Sequence, residues 1–154
     1  MKQYKSIIAM IAIVLISALA FTVIQSQKLS PRIVLPDEIK WQTNSQSSGE
    51  IQTIILAGDP SKAELYTTRI KIPANLKLQP HFHLENRTVV VLSGTLYYSY
   101  GNTFDETKLT AMPPGTFFTE PSEQPHFAWA KDGDVVVQVT GVGPTGTTLL
   151  KSSR

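Results

Sequence analysis

From residue 25 onward the chain shows no sustained 3.6-residue apolar period. Glycine and proline cut it instead into short β-rich runs. This punctuation constrains the fold most, because it leaves no room for a long amphipathic helix and suits many short strands. Ile51 to Leu56 ends at the turn Gly58-Asp59-Pro60. Tyr66 to Ile72 turns to period-two alternation near its end and is closed by Pro73; Leu76 and Leu78 alternate with Lys77 before Pro80. Thr88 to Leu92 stops at Ser93-Gly94, and Thr95 to Tyr100 follows. Gly101 to Thr110 reads as a connection. Pro113-Pro114-Gly115 turns into Thr116 to Thr119, Pro121 and Pro125 bracket a turn before His126 to Trp129, and Asp132-Gly133-Asp134 precedes Val135 to Thr140. Thr147 to Leu150 closes the series. Strands at this spacing predict an all-β sandwich or barrel.

Composition excludes several classes. A chain of 154 residues, 42% hydrophobic and 17% charged, can bury one core. A net charge of +2 with scattered Lys and Arg gives no basic stripe, so no nucleic-acid partner is expected. With no cysteine, disulfides, Cys-type zinc sites, thiol catalysis and a lipoprotein anchor are excluded. At the N-terminus Lys2 and Lys5 precede an apolar run from Ile7 to Ile24, with Ala18-Leu19-Ala20 as a small-x-small cleavage pattern. Residues 1–24 are therefore expected to be a signal peptide or an uncleaved membrane anchor, since the run reaches 18 residues. Both readings export the rest of the chain to a periplasmic or extracellular location, with membrane contact only through an uncleaved N-terminus. Residues 25–32 read as a linker, Pro36 to Trp41 as an entry segment docked by Trp41, and Thr43 to Gly49 as a surface loop.

Two of the three histidines lie in Pro80-His81-Phe82-His83. On a strand, His81 and His83 point to one side and Phe82 to the other. Paired neutral imidazoles are half of a metal site, and His126 in a second segment offers the third donor.

At these residues the chain resembles the cupin superfamily, whose first motif has the form His-x-His-x(3–4)-Glu-x(6)-Gly. His81, His83 and Gly94 match it. Pro113-Pro114-Gly115 and Pro121 to His126 are similar to the second motif, Pro-x-Gly-x(2)-His. Ile39-Lys40-Trp41, Leu56 to Pro60, Val91 to Thr95 and Gly141-Val142-Gly143-Pro144 resemble small exported single-domain cupins. The resemblance implies an RmlC-like jelly-roll barrel over residues 33–150, a tail at 151–154, and histidines pointing into the barrel mouth. It also implies one divalent ion (Fe, Mn, Ni or Zn) on His81, His83 and His126, and a homodimer through strand edges near Ile33 or the C-terminal strand.

One departure stands against the match. The motif's carboxylate position falls on Arg87, or on Thr88 with the longer spacer. Glu85 is the remaining candidate for a metal-ligating carboxylate. A guanidinium about 5 Å from a dication costs several kcal/mol at an effective dielectric near 20. Three outcomes stay open: Arg87 points out, the metal is weak or absent, or Arg87 grips an anionic ligand bidentately. Tyr98 shares a strand face with Tyr100, which puts it either on the pocket wall or on half-buried sheet; Tyr98 and Arg87 are the candidate ligand-binding residues. Glu120 and Glu123, in the turn before His126, are expected to be solvated. The sequence thus supports two functions. One is an exported barrel binding a small, anionic or carbohydrate-like molecule over a partly degenerate three-histidine site. The other is a metal-dependent enzyme of dioxygenase or isomerase type.

Overall fold

The computed structural model of the chain describes residues 29–43 and 51–151. The expected signal or anchor segment (1–24), the first half of the linker (25–28), nearly all of the 43–49 loop and residues 152–154 lie outside the described residues. Among the described residues no helix is long and apolar enough to cross a membrane.

Eleven strands are described, in two antiparallel sheets. The first sheet runs β1 (Gln42–Thr43), β2 (Gln52–Ala57), β3 (Leu65–Ile72), β10 (Val135–Val142), β5 (Arg87–Ser93), β8 (Phe117–Glu120). The second runs β11 (Thr148–Leu149), β4 (Lys77–Phe82), β9 (His126–Trp129), β6 (Leu96–Tyr100), β7 (Thr110–Met112). Single 3₁₀ turns lie at Pro36–Glu38 and Glu106–Lys108. Trp41 in the entry segment is half-buried.

Alternation places the core. In β10, Val135, Val137 and Val139 are buried and the residues between them are half-exposed. In β5, Val89 and Val91 point inward; from the opposing sheet Leu96, Tyr98 and Ala128 meet them. Each such valine or leucine stabilises the fold by roughly 1.5–3 kcal/mol relative to exposure. The β5–β6 turn needs its glycine. Gly94 has φ +72°, and an added Cβ would lie 2.3 Å from the Asp134 carbonyl oxygen.

Two details differ from the sequence expectation. The stretch expected as a connection ends in β7, a three-residue strand paired with β6, too short to show an alternation. And β4 runs through Pro80 instead of stopping before it. Proline cannot donate to a ladder, and the β4–β9 register shifts between Leu78 and His81, bracketing Pro80. Regular pairing resumes at His81, opposite His126.

Candidate metal centre

The site assembles where both sheets reach the same end of the barrel. His81 on β4 and His126 on β9 are direct cross-strand partners, and His83 follows just beyond β4. The ring centroids are 4.4 Å (His81–His126), 5.1 Å (His81–His83) and 5.2 Å (His83–His126) apart. One donor atom from each ring falls within 4.8 Å of the other two. His83 and His126 are buried and His81 is 9% exposed.

Hydrogen bonds fix the tautomers. Nδ1 of His81 faces the Gln79 carbonyl at 2.7 Å, that of His83 the Gly146 carbonyl at 2.7 Å, and that of His126 the Gln124 carbonyl at 3.0 Å. A carbonyl only accepts, so each Nδ1 carries the proton and each Nε2 keeps its lone pair. Nε2 of His83 and of His126 is buried with no hydrogen-bond partner. Burial, more than any neighbouring charge, lowers the pKa of His81 and His83 to about 4 and lowers that of His126. All three rings are therefore neutral at pH 7, the form a metal needs.

Arg87 points into the barrel, on the same face of β5 as Val89 and Val91. Its direct partner on β8 is Glu120, which shares its own inward face with Phe118. Arg87 Nε donates to Glu120 Oε2 at 2.8 Å, and Nη2 donates to the same oxygen. The pair is nearly closed off from solvent, at 10% and 9% side-chain exposure. Glu120 Oε2 is 3.9 Å from His83 Nε2, and Oε1 is 3.5 Å from His126 Nε2. Burial is the largest single influence and pushes the Glu120 carboxyl up, but the Arg87 guanidinium and its hydrogen bond, together with the neighbouring His126 and His83, hold the group below its ordinary value, ionised.

These positions correct two expectations. Glu120 is 7% exposed and forms one wall of the site, not a solvated turn residue. The signal that could have found it is period two along Phe117-Phe118-Thr119-Glu120, together with the need of a buried arginine for an anion. Glu85, the expected carboxylate ligand, is engaged elsewhere: its Oε1 accepts from the Tyr66 hydroxyl at 2.9 Å and from Thr145 Oγ1. Glu123 is exposed, as expected, and its N–H donates to the His83 carbonyl. Tyr98 is 2% exposed; its ring stacks on His126 (5.4 Å, 25°) and packs on Phe118 (4.6 Å). Burial above all raises the Tyr98 pKa, and its hydroxyl is buried without a partner. A cleft of about 470 Å³ lies alongside, between Glu85, Asn86, Ser122 and Pro144; none of the three histidines lines it.

The donor set fits a divalent ion. Three neutral imidazoles converge through Nε2, two of these atoms are orphaned, and backbone carbonyls fix the outer nitrogens. Opposite them, Arg87 and Glu120 cancel in charge, so the guanidinium does not confront a metal alone.

No protein-family model and no curated protein matches the chain. Solved structures do. The polyketide cyclase RemF from Streptomyces resistomycificus is 19% identical over 80% of this chain and 89% of its own, with TM-score 0.63. The DMSP lyase DddQ from Ruegeria pomeroyi is 18% identical over 95% of both chains, with TM-score 0.61. An RmlC-like cupin from Shewanella frigidimarina is 14% identical over 76% of this chain and 96% of its own, with TM-score 0.55. The chain therefore has the cupin fold, a jelly-roll barrel of RmlC-like type.

Proposed function

We propose that the protein is a metal-dependent cupin that takes a small molecule at the barrel mouth. His81, His83 and His126 hold one divalent ion through Nε2, with Glu120 beside them. The observation that carries this reading is the commitment of all three Nδ1 atoms to backbone carbonyls, which leaves one free donor nitrogen on each of three rings whose ligand atoms lie within 4.8 Å of one another. A divalent ion there supplies Lewis-acid polarisation of a bound oxygen. The rest is the work of the chain. Arg87 keeps Glu120 ionised. Tyr98 and Phe118 give the site a dry apolar back wall. An ionised carboxylate beside the three donors can accept a hydrogen bond from a bound substrate or water and orient it, although a lowered pKa makes it a weak proton acceptor. The anion-gripping role for Arg87 loses support, because the anion it holds is the chain's own Glu120. Export from the cytoplasm belongs to the same proposal and rests on Lys2, Lys5 and the apolar run Ile7–Ile24.

Metal analysis of protein purified without a histidine tag tests the reading. About one divalent ion per chain is expected, lost in His81→Ala and in His126→Ala. Substoichiometric metal that neither substitution changes would overturn it.

A further inference from the structure

The three histidines are not held alike. His81 and His126 each bond a carbonyl two residues back on their own segment, so local geometry alone sets their tautomers. His83 bonds the Gly146 carbonyl, 63 residues away on the β10–β11 loop. Its orientation depends on where that loop sits.

The loop is tied down at three points. Gly143 N–H donates to the Glu64 carbonyl, Thr145 N–H donates to the Pro60 carbonyl, and Thr145 Oγ1 donates to Glu85 Oε1. The same carboxylate oxygen accepts from the hydroxyl of Tyr66, a core residue 1% exposed. Glu85 therefore joins β3, the β4–β5 turn and the β10–β11 loop, with only the loop's next residue between it and the carbonyl that holds His83. The approach is close: a Cβ on Gly143 would lie 2.4 Å from the Lys62 carbonyl oxygen, so the loop tolerates no bulk there.

We propose that Glu85 is a positioning residue for the metal centre. With Tyr66 and Thr145 it latches the β10–β11 loop, so that the Gly146 carbonyl keeps His83 protonated at Nδ1 and open at Nε2. The proposal deepens the metal reading above and rests on it, but its first readout needs no metal. The direct partner of a ligating histidine, here the Gly146 carbonyl, typically contributes 10–100-fold in metal affinity, and that is the most that releasing the latch can cost.

The test uses Thr145→Val and Glu85→Leu, which break the latch, and Glu85→Gln, whose side-chain oxygen still accepts both hydroxyls. In metal-free protein, long-range proton–nitrogen correlation reads the His83 tautomer. A single Nδ1–H form is expected in the parent and in Glu85→Gln, and a mixture in the two breaking variants. Titration with Co(II) should then show an affinity weaker by up to about 100-fold and an altered visible spectrum in the breaking variants, with Glu85→Gln close to the parent. A lower melting temperature with the His83 tautomer and the Co(II) spectrum unchanged would overturn the latch and leave Glu85 merely structural. Parent protein that takes up no Co(II) would instead sink the metal reading, and the tautomer would still decide the latch.

Discussion

His81 and His126 stand opposite one another on β4 and β9; Arg87 and Glu120 stand opposite one another on β5 and β8. The two pairs belong to different sheets and meet at one point, where Glu120 Oε1 is 3.5 Å from His126 Nε2. They handle buried polarity in opposite ways. The imidazoles shed their charge: burial lowers their pKa values and leaves neutral rings with free lone pairs. The β5–β8 pair keeps its charges and cancels them. A neutral pair leaves donors free for a ligand, whereas an ion pair uses its donors on itself. The difference explains how the barrel keeps three metal donors although the motif's carboxylate position holds an arginine. Arg87 sits at that position, and its cross-strand partner on the adjacent β8, Glu120, places a carboxylate beside the histidines.

The ion pair should be the costlier one to break. Glu120→Ala strands a buried guanidinium, and Arg87→Met strands a buried carboxylate. Each should lower the stability of the metal-free protein by about 3–5 kcal/mol, whereas Arg87→Met with Glu120→Leu should return to within roughly 1–2 kcal/mol of the parent or exceed it. His81→Ala, by contrast, strands no charge; it removes a buried ring and its one hydrogen bond to the Gln79 carbonyl and should cost about 1–3 kcal/mol. Urea unfolding of the four proteins measures the contrast. A double-variant loss equal to the sum of the two single losses would show that the members of the ion pair are not coupled.

Acid should separate the pairs a second way. In the unfolded chain the histidines protonate near pH 6.5, but in the folded metal-free protein His81 and His83 do so only near pH 4. Between those values the unfolded state binds more protons, so stability falls as pH falls. The loss is at most about 3.4 kcal/mol for each ring, taking 1.36 kcal/mol per pKa unit. Glu120 has the depressed pKa usual for a paired carboxylate, so its contribution is present above its ordinary value of 4.5 and disappears only below it. Stability of metal-free protein should therefore decline from about pH 6.5 and fall further below about pH 4.5. A flat profile between pH 6.5 and 5 would mean that the rings are solvated and the site is not dry.

The first pair was legible in the sequence and the second was not, for a physical reason. His81 and His83 lie in one short alternating run, so period two alone put them on one face, and the paired turns around Pro121 and Pro125 marked the segment carrying His126. Arg87 and Glu120 are 33 residues apart, and only the β5–β8 register brings them together. Sequence spacing carries no register, so none of the three outcomes open for Arg87 paired it with Glu120, and Glu120 read as a solvated turn residue. Glu85 was misread for the same reason. Its nearness to His83 in sequence suggested a ligand, but Tyr66 and Thr145, brought in by β3 and the β10–β11 loop, hold its carboxylate. The barrel itself was more legible than its site, because glycine, proline and alternation act locally; β7 escaped because pairing, not propensity, makes it a strand.

Tyr98 lies between the two pairs, and the smallest expected effect belongs to it. Its ring stacks on His126 from one sheet and packs on Phe118, two residues before Glu120, from the other. The ring is therefore needed as a wall, but the hydroxyl is buried with no partner. An unsatisfied buried hydroxyl costs free energy, so Tyr98→Phe should leave the ligand-free protein unchanged or stabilise it by up to about 1 kcal/mol. Metal stoichiometry should not move, since no donor is lost. A loss of more than about 1 kcal/mol would mean that the hydroxyl bonds an ordered water in the unliganded protein. The wall between the two pairs would then be wet, and the neutral state of the imidazoles would owe less to burial than the comparison requires.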